Sequence, residues 1–305
     1  MRYGKYRFIA GFLAVPLALY IVFVVSPYAQ AFYISMTDWR GFSGQQNFIG
    51  FGNYIELATD GRFWRAMGHN GLLLLVVPLV TIVFALFLAA VTTVAGRQGA
   101  VGRGGVRGSR FYQVVFFFPQ VVPVVIAGVL FGFFFNPDAG LLNGLLRVLG
   151  LGWLTRPWLG DPALALPSVM AVLIWGAVGF YYVLFSSAMK SVPPDVFEAA
   201  VLDGAGRLRT FWSITLPMIW DSVQVSYIYL GIMVLDGFAL LQVMLPVPGG
   251  GPDGSTAVVS QYLYESAFIN GRFGYASAIG VALCLVTLLL AVAVLRLTRR
   301  QQTEY

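Results

Sequence analysis

Six apolar runs leave this chain few folds to choose from. Each is close to the roughly 20 residues that carry a helix across a bilayer. They cover about Phe8–Tyr28, Leu72–Ala95, Phe111–Phe135, Ala163–Met189, Met218–Leu245 and Tyr275–Leu295. Hydrocarbon offers no hydrogen-bond partners, so a spanning segment must satisfy its own backbone, and a helix does this. Only 10% of the 305 residues are charged and 58% are hydrophobic, whereas a soluble domain carries about 25% charged residues. The expectation is an all-α integral membrane protein with about six transmembrane helices, forming a single transmembrane domain over residues 1–305.

The net charge of +6 does not read as nucleic-acid binding, because the basic residues form no aromatic-interleaved patch. They read as topology signals. Arg2, Lys5 and Arg7, the arginines of Gly96–Arg110, the basic residues of Lys190–Pro217, and Arg296, Arg299 and Arg300 all fall on one side of the alternating spans. The other side holds fewer: Arg40, Arg62, Arg65, Arg147, Arg156 and Arg272. The positive-inside rule puts both termini and the 190–217 loop in the cytoplasm. The first run resembles a signal peptide, with Ala29-Gln30-Ala31 as a small-residue cleavage pattern. It exceeds the roughly 7–15 residues of a signal core, so it reads as an uncleaved anchor.

Inside the spans, polar residues and breakers mark candidate pathway positions. Pro119 and Pro123 flank Gln120 and predict a kink with freed backbone carbonyls, which either lines a polar path or serves packing. The following loop, Asn136–Pro162, has room for a short interfacial helix at Leu141–Leu149. Asp221 and Asp236 lie in the fifth run. An acid within a membrane span usually faces the protein interior. Asp236 falls in the outer half, near Gln242, with contact to substrate, inter-helix hydrogen bonding or an outer-interface location as the readings. Gln120, Tyr181, Tyr227, Asp236 and Gln242 are the candidate pathway residues. Further candidates are Trp175, Tyr182, Gln224 and Tyr229.

One hydrophilic stretch stands apart, Pro193–Pro217. Pro193 and Pro194 suit a helix start, and Asp195 complements the positive end of the helix dipole. Val196, Phe197, Ala200 and Val201 share a face at helical spacing. Gly204 and Gly206 end this helix, since glycine accepts the left-handed conformation that helix ends use. Arg207 starts a second helix with Leu208, Phe211 and Ile214 on one side.

Glu198-Ala199-Ala200, then Gly204, then Ile214 and Leu216-Pro217, resembles the EAA loop of the inner-membrane permease subunits of binding-protein-dependent ABC importers. Asp203 and Ala205 match the carbohydrate (MalF/UgpA-like) branch. A plain amphipathic hairpin at the membrane surface is the alternative reading of the same stretch. Two further runs resemble that branch. One is Phe51-Gly52-Asn53-Tyr54 with Phe63-Trp64 and Asn70, which taken alone reads as an interfacial aromatic belt. The other runs from Pro248-Gly249-Gly250-Gly251-Pro252 through Thr256, Tyr262, Tyr264, Ala267 and Phe268 to Gly274-Tyr275-Ala276-Ser277-Ala278. Ala239 after Phe238 departs from the branch, which often has an aspartate there.

The resemblance implies a type I importer permease fold in a bacterial inner membrane. It implies a second homologous permease subunit, two ATPase subunits and an extracytoplasmic solute-binding protein as partners, and a mono- or oligosaccharide as substrate. The loop 190–217 would couple to an ATPase through Phe197, Glu198, Ala199, Ala200, Asp203 and Gly204. Phe197, Val201 and Leu202 would anchor that docking. No GxxxxGK[ST] pattern is present, and the only lysines, Lys5 and Lys190, lack its glycines. This chain is therefore expected to bind no cofactor, with ATP and Mg used by the partner ATPases. The competing reading is a stand-alone ion-coupled transporter or channel using Asp236 or Asp221. A membrane enzyme finds little support, because His69 is the single histidine and Cys284 the single cysteine.

Overall fold

The computed structural model describes residues 2–41, 44, 46–94, 109–246 and 249–297. Among them, four helical stretches are long and apolar enough to cross a bilayer: Gly11–Ser35, Gly61–Thr93, Pro162–Ser191 and Phe273–Ala293. Two sharply bent pairs, Phe111–Val121 with Val124–Phe134 and Arg207–Met218 with Trp220–Leu235, bring the number to six when each counts as one span. The basic segment Gly96–Arg110 falls almost wholly outside the described residues.

Helix α1 (Arg2–Tyr20) passes through a π-helical turn into α2 (Ser26–Ser35). The first span thus outruns its expected end at Tyr28, and Ala29-Gln30-Ala31 lies within α2. α3 (Gly52–Thr59) and α4 (Gly61–Val94) are separated by Asp60 alone. Asp60 Oδ1 accepts the backbone N–H groups of Arg62 at 2.8 Å and Phe63 at 3.4 Å. This cap satisfies orphan donors of the first turn, and α4 begins at Gly61 rather than at the expected Leu72.

The prolines of the third span do more than kink it. α5 (Ser109–Val121) and α6 (Val124–Phe134) meet at 93°, with Pro123 in an extended conformation between them. A short amphipathic helix follows as expected, α7 (Leu141–Val148). α8 (Pro162–Ser191) starts with Pro162 at its first position, while the Asp161 carboxylate accepts the Ala163 N–H at 2.8 Å. After it come α9 (Pro194–Leu202), α10 (Arg207–Thr210), a π-helical turn, and α11 (Leu216–Met218). The expected continuous fifth span, Met218–Leu245, is instead α12 (Trp220–Leu235) and α13 (Phe238–Met244), interrupted at Asp236-Gly237. The chain closes with α14 (Val259–Tyr264), a π-helical turn, and α15 (Phe273–Leu297).

The described residues pack as two compact units. In the unit of Met1–Trp64 and Tyr262–Val286, buried Asn53 donates to the carbonyls of Ser35 and Thr37, both at 2.8 Å. The Gly274 N–H donates to the Trp39 carbonyl at 2.9 Å. A Cβ on Gly274 would lie 2.0 Å from the Thr37 carbonyl oxygen, so only glycine fits. The Asn53-Tyr54 and Gly274-Tyr275 runs, distant in sequence, therefore meet at one corner.

The unit of Arg65–Gln261 and Thr287–Tyr305 holds two apolar clusters. One gathers Leu73, Val77, Val169, Val234 and Leu241. The other gathers Ala85, Tyr181, Tyr182, Phe185, Phe197, Ile219 and Leu230. Small residues such as Ala85 and Ala89 let helices approach closely where lipid gives no hydrophobic drive.

Candidate functional site

The hairpin 193–217 is built from inside out. Phe197 and Ala200 are buried, at 6% and 5% exposure, and Phe197 joins the cluster of Tyr182, Phe185 and Ile219. Phe197, expected to face a partner, packs against its own chain. Of the other two expected anchors, Leu202 is 88% exposed and Val201 is also exposed, as are Leu208 and Trp212. Glu198, Ala199 and Asp203 share the exposed surface.

The end of α9 is closed by two backbone bonds. The Ala205 N–H donates to the Ala200 carbonyl at 2.9 Å, and the Gly204 N–H to the Val201 carbonyl at 3.0 Å. This paired arrangement needs a left-handed residue after the cap, and Gly204 supplies it at φ +73. Its surroundings are open, with no atom within 4 Å of a hypothetical Cβ. Glycine here answers a backbone requirement and no steric one.

A cavity of about 140 Å³ opens at the break between α5 and α6. Pro119, Gln120, Trp175, Gly176, Met233 and Leu240 line it. Trp175 is set edge-on against Phe131, ring centroids 4.9 Å apart. An amide and an indole facing a mostly apolar hollow give the mixture that small-molecule sites use.

The other expected pathway residues lie elsewhere. Tyr181 is buried at 6% exposure within the apolar cluster. The Tyr227 hydroxyl donates to the Leu74 carbonyl at 3.3 Å, tying α12 to α4. Gln242 accepts from Gln261 Nε2 at 3.2 Å, which is the inter-helix bond. Asp236 sits exposed at the interruption after α12, not within a continuous helix. Met233, which lines the cavity, carries no signal in the sequence because it is an apolar residue in an apolar run.

The sequence also gave no sign of a polar cluster in the first unit. Tyr262 and Tyr275 both donate to Asp60 Oδ2 at 2.5 Å. Arg62 pairs with Glu265 at 3.1 Å and lies 5.0 Å from the centre of the Tyr262 ring. Arg272 grips Glu56 with two bonds, 2.8 and 2.6 Å, and lies over the Tyr275 ring at 4.4 Å. Burial raises the Asp60 carboxyl pKa, but the two tyrosine hydroxyls and the N–H groups of Arg62 and Phe63 outweigh it and leave the pKa below the ordinary value. The same burial and the bond to Asp60 push Tyr262 up.

Comparison with known proteins places this geometry. Residues 95–303 match the family described as "Binding-protein-dependent transport system inner membrane component". The chain is 49% identical to the diacetylchitobiose uptake system permease protein NgcF of Streptomyces coelicolor, over 98% of this chain and 84% of that protein. It is 35% identical to the probable ABC transporter permease protein YurN of Bacillus subtilis, over 95% and 96%. In fold it matches a chain of a bacterial ABC transporter that imports the acidic polysaccharide alginate, with a TM-score of 0.80, 22% identity, and 99% and 100% coverage. The chain belongs to the inner-membrane components of binding-protein-dependent transport systems. It is a multi-pass permease subunit of the ABC importer class, and the stand-alone ion-coupled reading is set aside.

Proposed function

We propose that this chain is one permease half of an ATP-driven sugar importer, coupled to an ATPase subunit through α9 and the turn at Gly204. The observation that carries the reading is the construction of that hairpin. Phe197 and Ala200 fix it from within, Gly204 closes it, and Leu202, Val201, Glu198, Ala199 and Asp203 are left facing out. A short helix with apolar anchors and flanking charges suits a groove in a partner.

Both arms of the hairpin lead to the cavity. α8 carries Trp175 and Gly176 and ends at Ser191, just before α9; α12 begins at Trp220, just after α11, and carries Met233. From Trp175 to Ser191 is about 24 Å of helix at roughly 1.5 Å per residue. A push on the hairpin therefore travels along α8 as a stiff rod to the cavity wall, while α12 joins the hairpin across a 68° bend. Closure of the ATPase pair would move the hairpin, and the wall would follow, opening the cavity to alternate sides. Gln120 and Trp175 would meet the solute there.

The partners in this reading are a second homologous permease, two ATPase subunits and an extracytoplasmic binding protein. Both termini and the hairpin face the cytoplasm, and ATP and Mg are used by the ATPase subunits alone. A mono- or oligosaccharide substrate is supported by relatives named for diacetylchitobiose, alpha-glucoside and trehalose/maltose transport.

The test is a gentle-detergent pull-down of the tagged chain from its native membranes, with mass spectrometry of its companions. Recovery of a P-loop ATPase, a second six-span permease and a binding protein is expected, and the binding protein can then be screened against sugars. Recovery of the chain alone, under conditions that keep a known importer intact, would overturn the reading.

A further inference from the structure

Two hydroxyls on α8 have no use in the packed protein. Tyr182 and Ser186 are buried, at 0% and 1% exposure. Neither Tyr182 Oη nor Ser186 Oγ has a hydrogen-bond partner among the described residues. A buried hydroxyl without a partner lowers stability, and such groups are rare for that reason. Both lie on one line with the cavity. Trp175, Gly179, Tyr182 and Ser186 follow at helical spacing and share one face of α8. Trp175 lines the cavity. The face thus runs from the cavity wall toward the end of α8 at Ser191, where the hairpin begins.

α5 covers this face. Its backbone lies against Gly179, with Phe117 Cα 2.9 Å from where a Cβ would stand. The Phe116 ring is set edge-on to Tyr182, centroids 5.7 Å apart. The cover is hinged: α5 ends at Val121, and Val122 and Pro123 join it to α6 across the 93° bend. A few residues at an element end can absorb the turn of one helix against another. The hairpin reaches the same contact. Phe197 of α9 belongs to the apolar cluster that holds Tyr182 and Phe185, and Phe116 packs against that cluster. A displacement of α9 therefore arrives at the contact of α5 with α8 through packed side chains.

We propose that this contact is the gate between the cavity and the hairpin side of the membrane, and that Tyr182 Oη and Ser186 Oγ line the passage it opens. There they hydrogen-bond the hydroxyls of the passing solute. A hydroxyl both donates and accepts, which suits a hydroxyl-rich solute. When α5 turns away, both groups gain the partners that they lack in the closed form. The assignment rests on the cavity at Gln120 and Trp175 being the solute site.

The assembled importer, reconstituted in liposomes, gives the test. Tyr182→Phe keeps the ring on Phe116 and removes only the hydroxyl; Ser186→Ala does the same for the second group. Each variant should melt at the wild-type temperature or above it, because an unpartnered buried group is removed. Each should lower the maximal uptake rate by about threefold to tenfold, the effect of one neutral hydrogen bond, at an unchanged half-saturating sugar concentration. In a Cys284→Ser background, Ser186→Cys should react with a charged, water-soluble thiol reagent several-fold faster in one of two states, resting or hydrolysing ATP, than in the other. Wild-type uptake rates in both hydroxyl variants would overturn the proposal, as would equal thiol reactivity in the two states. A lowered melting temperature would also overturn it, by making the hydroxyls structural. Gln120→Ala separates this proposal from the reading beneath it. Unaltered uptake in Gln120→Ala would remove the cavity as the solute site, whereas an effect there with none in Tyr182→Phe and Ser186→Ala would remove the gate alone.

Discussion

A Cβ placed on Gly179 would lie 1.8 Å from the carbonyl oxygen of Phe116. The backbone of α5 therefore rests directly on α8, at the end of α5 that leads into the 93° bend. Gly179→Ala should force the helices apart and lower stability by about 1–3 kcal/mol, the usual cost of overpacking. Thermal melting of the purified complex checks this. An unchanged midpoint would mean that the close approach is dispensable.

Gly204 presents the opposite case. Its φ of +73 demands a left-handed residue, yet nothing crowds it. Gly204→Asp should cost roughly 1–2 kcal/mol locally and leave the protein in the membrane, while uptake is abolished through misplacement of the hairpin. Gly204→Asn should retain more uptake, because asparagine tolerates this conformation better. Transport and membrane abundance, measured together, separate coupling from folding.

Phe197 and Leu202, five residues apart, should behave differently. Phe197→Ala removes a buried ring and should destabilise by about 3–5 kcal/mol. Leu202→Ala should leave the melting temperature unchanged but weaken recovery of the ATPase by about tenfold, as for an interface anchor worth over 1 kcal/mol. Equal ATPase recovery with Leu202→Ala would remove Leu202 from the docking surface.

Trp175 and Gln120 face the cavity together. Gln120→Ala should raise the half-saturating sugar concentration by up to about tenfold, the effect of one neutral hydrogen bond of roughly 0.5–1.5 kcal/mol. Basal ATP hydrolysis by the assembled complex should not change. Tyr181→Phe, inside the apolar cluster, should leave sugar affinity unaltered.

The Asp60 cluster carries a pH signature. Its carboxyl is held below the ordinary value in the folded protein, so its contribution is fully present above the unfolded carboxylate range near pH 4. That contribution is lost as pH falls further, through the folded value. Melting curves should therefore show no Asp60-dependent change between pH 5 and 8. Asp60→Asn should destabilise by about 1.5–3 kcal/mol throughout that window, as the loss of charge-assisted hydrogen bonds.

The spans, the family and the turn at Gly204 could be read from the sequence because their causes are local. Apolar length sets a span, and a glycine after a helical pattern sets a left-handed cap. The prolines at 119 and 123 announced a break, but not its 93° angle, which no local pattern specifies. Periodicity placed Phe197 and Val201 on one face of α9. Only the packed core decided that Phe197 turns inward and Leu202 outward. Asp236 read as a point within one continuous helix because hydropathy cannot see a helix end between two apolar stretches. The meeting of Asp60 with Tyr262 and Tyr275 joins positions some two hundred residues apart. No local pattern encodes such a contact, and it exists only once the helices are assembled.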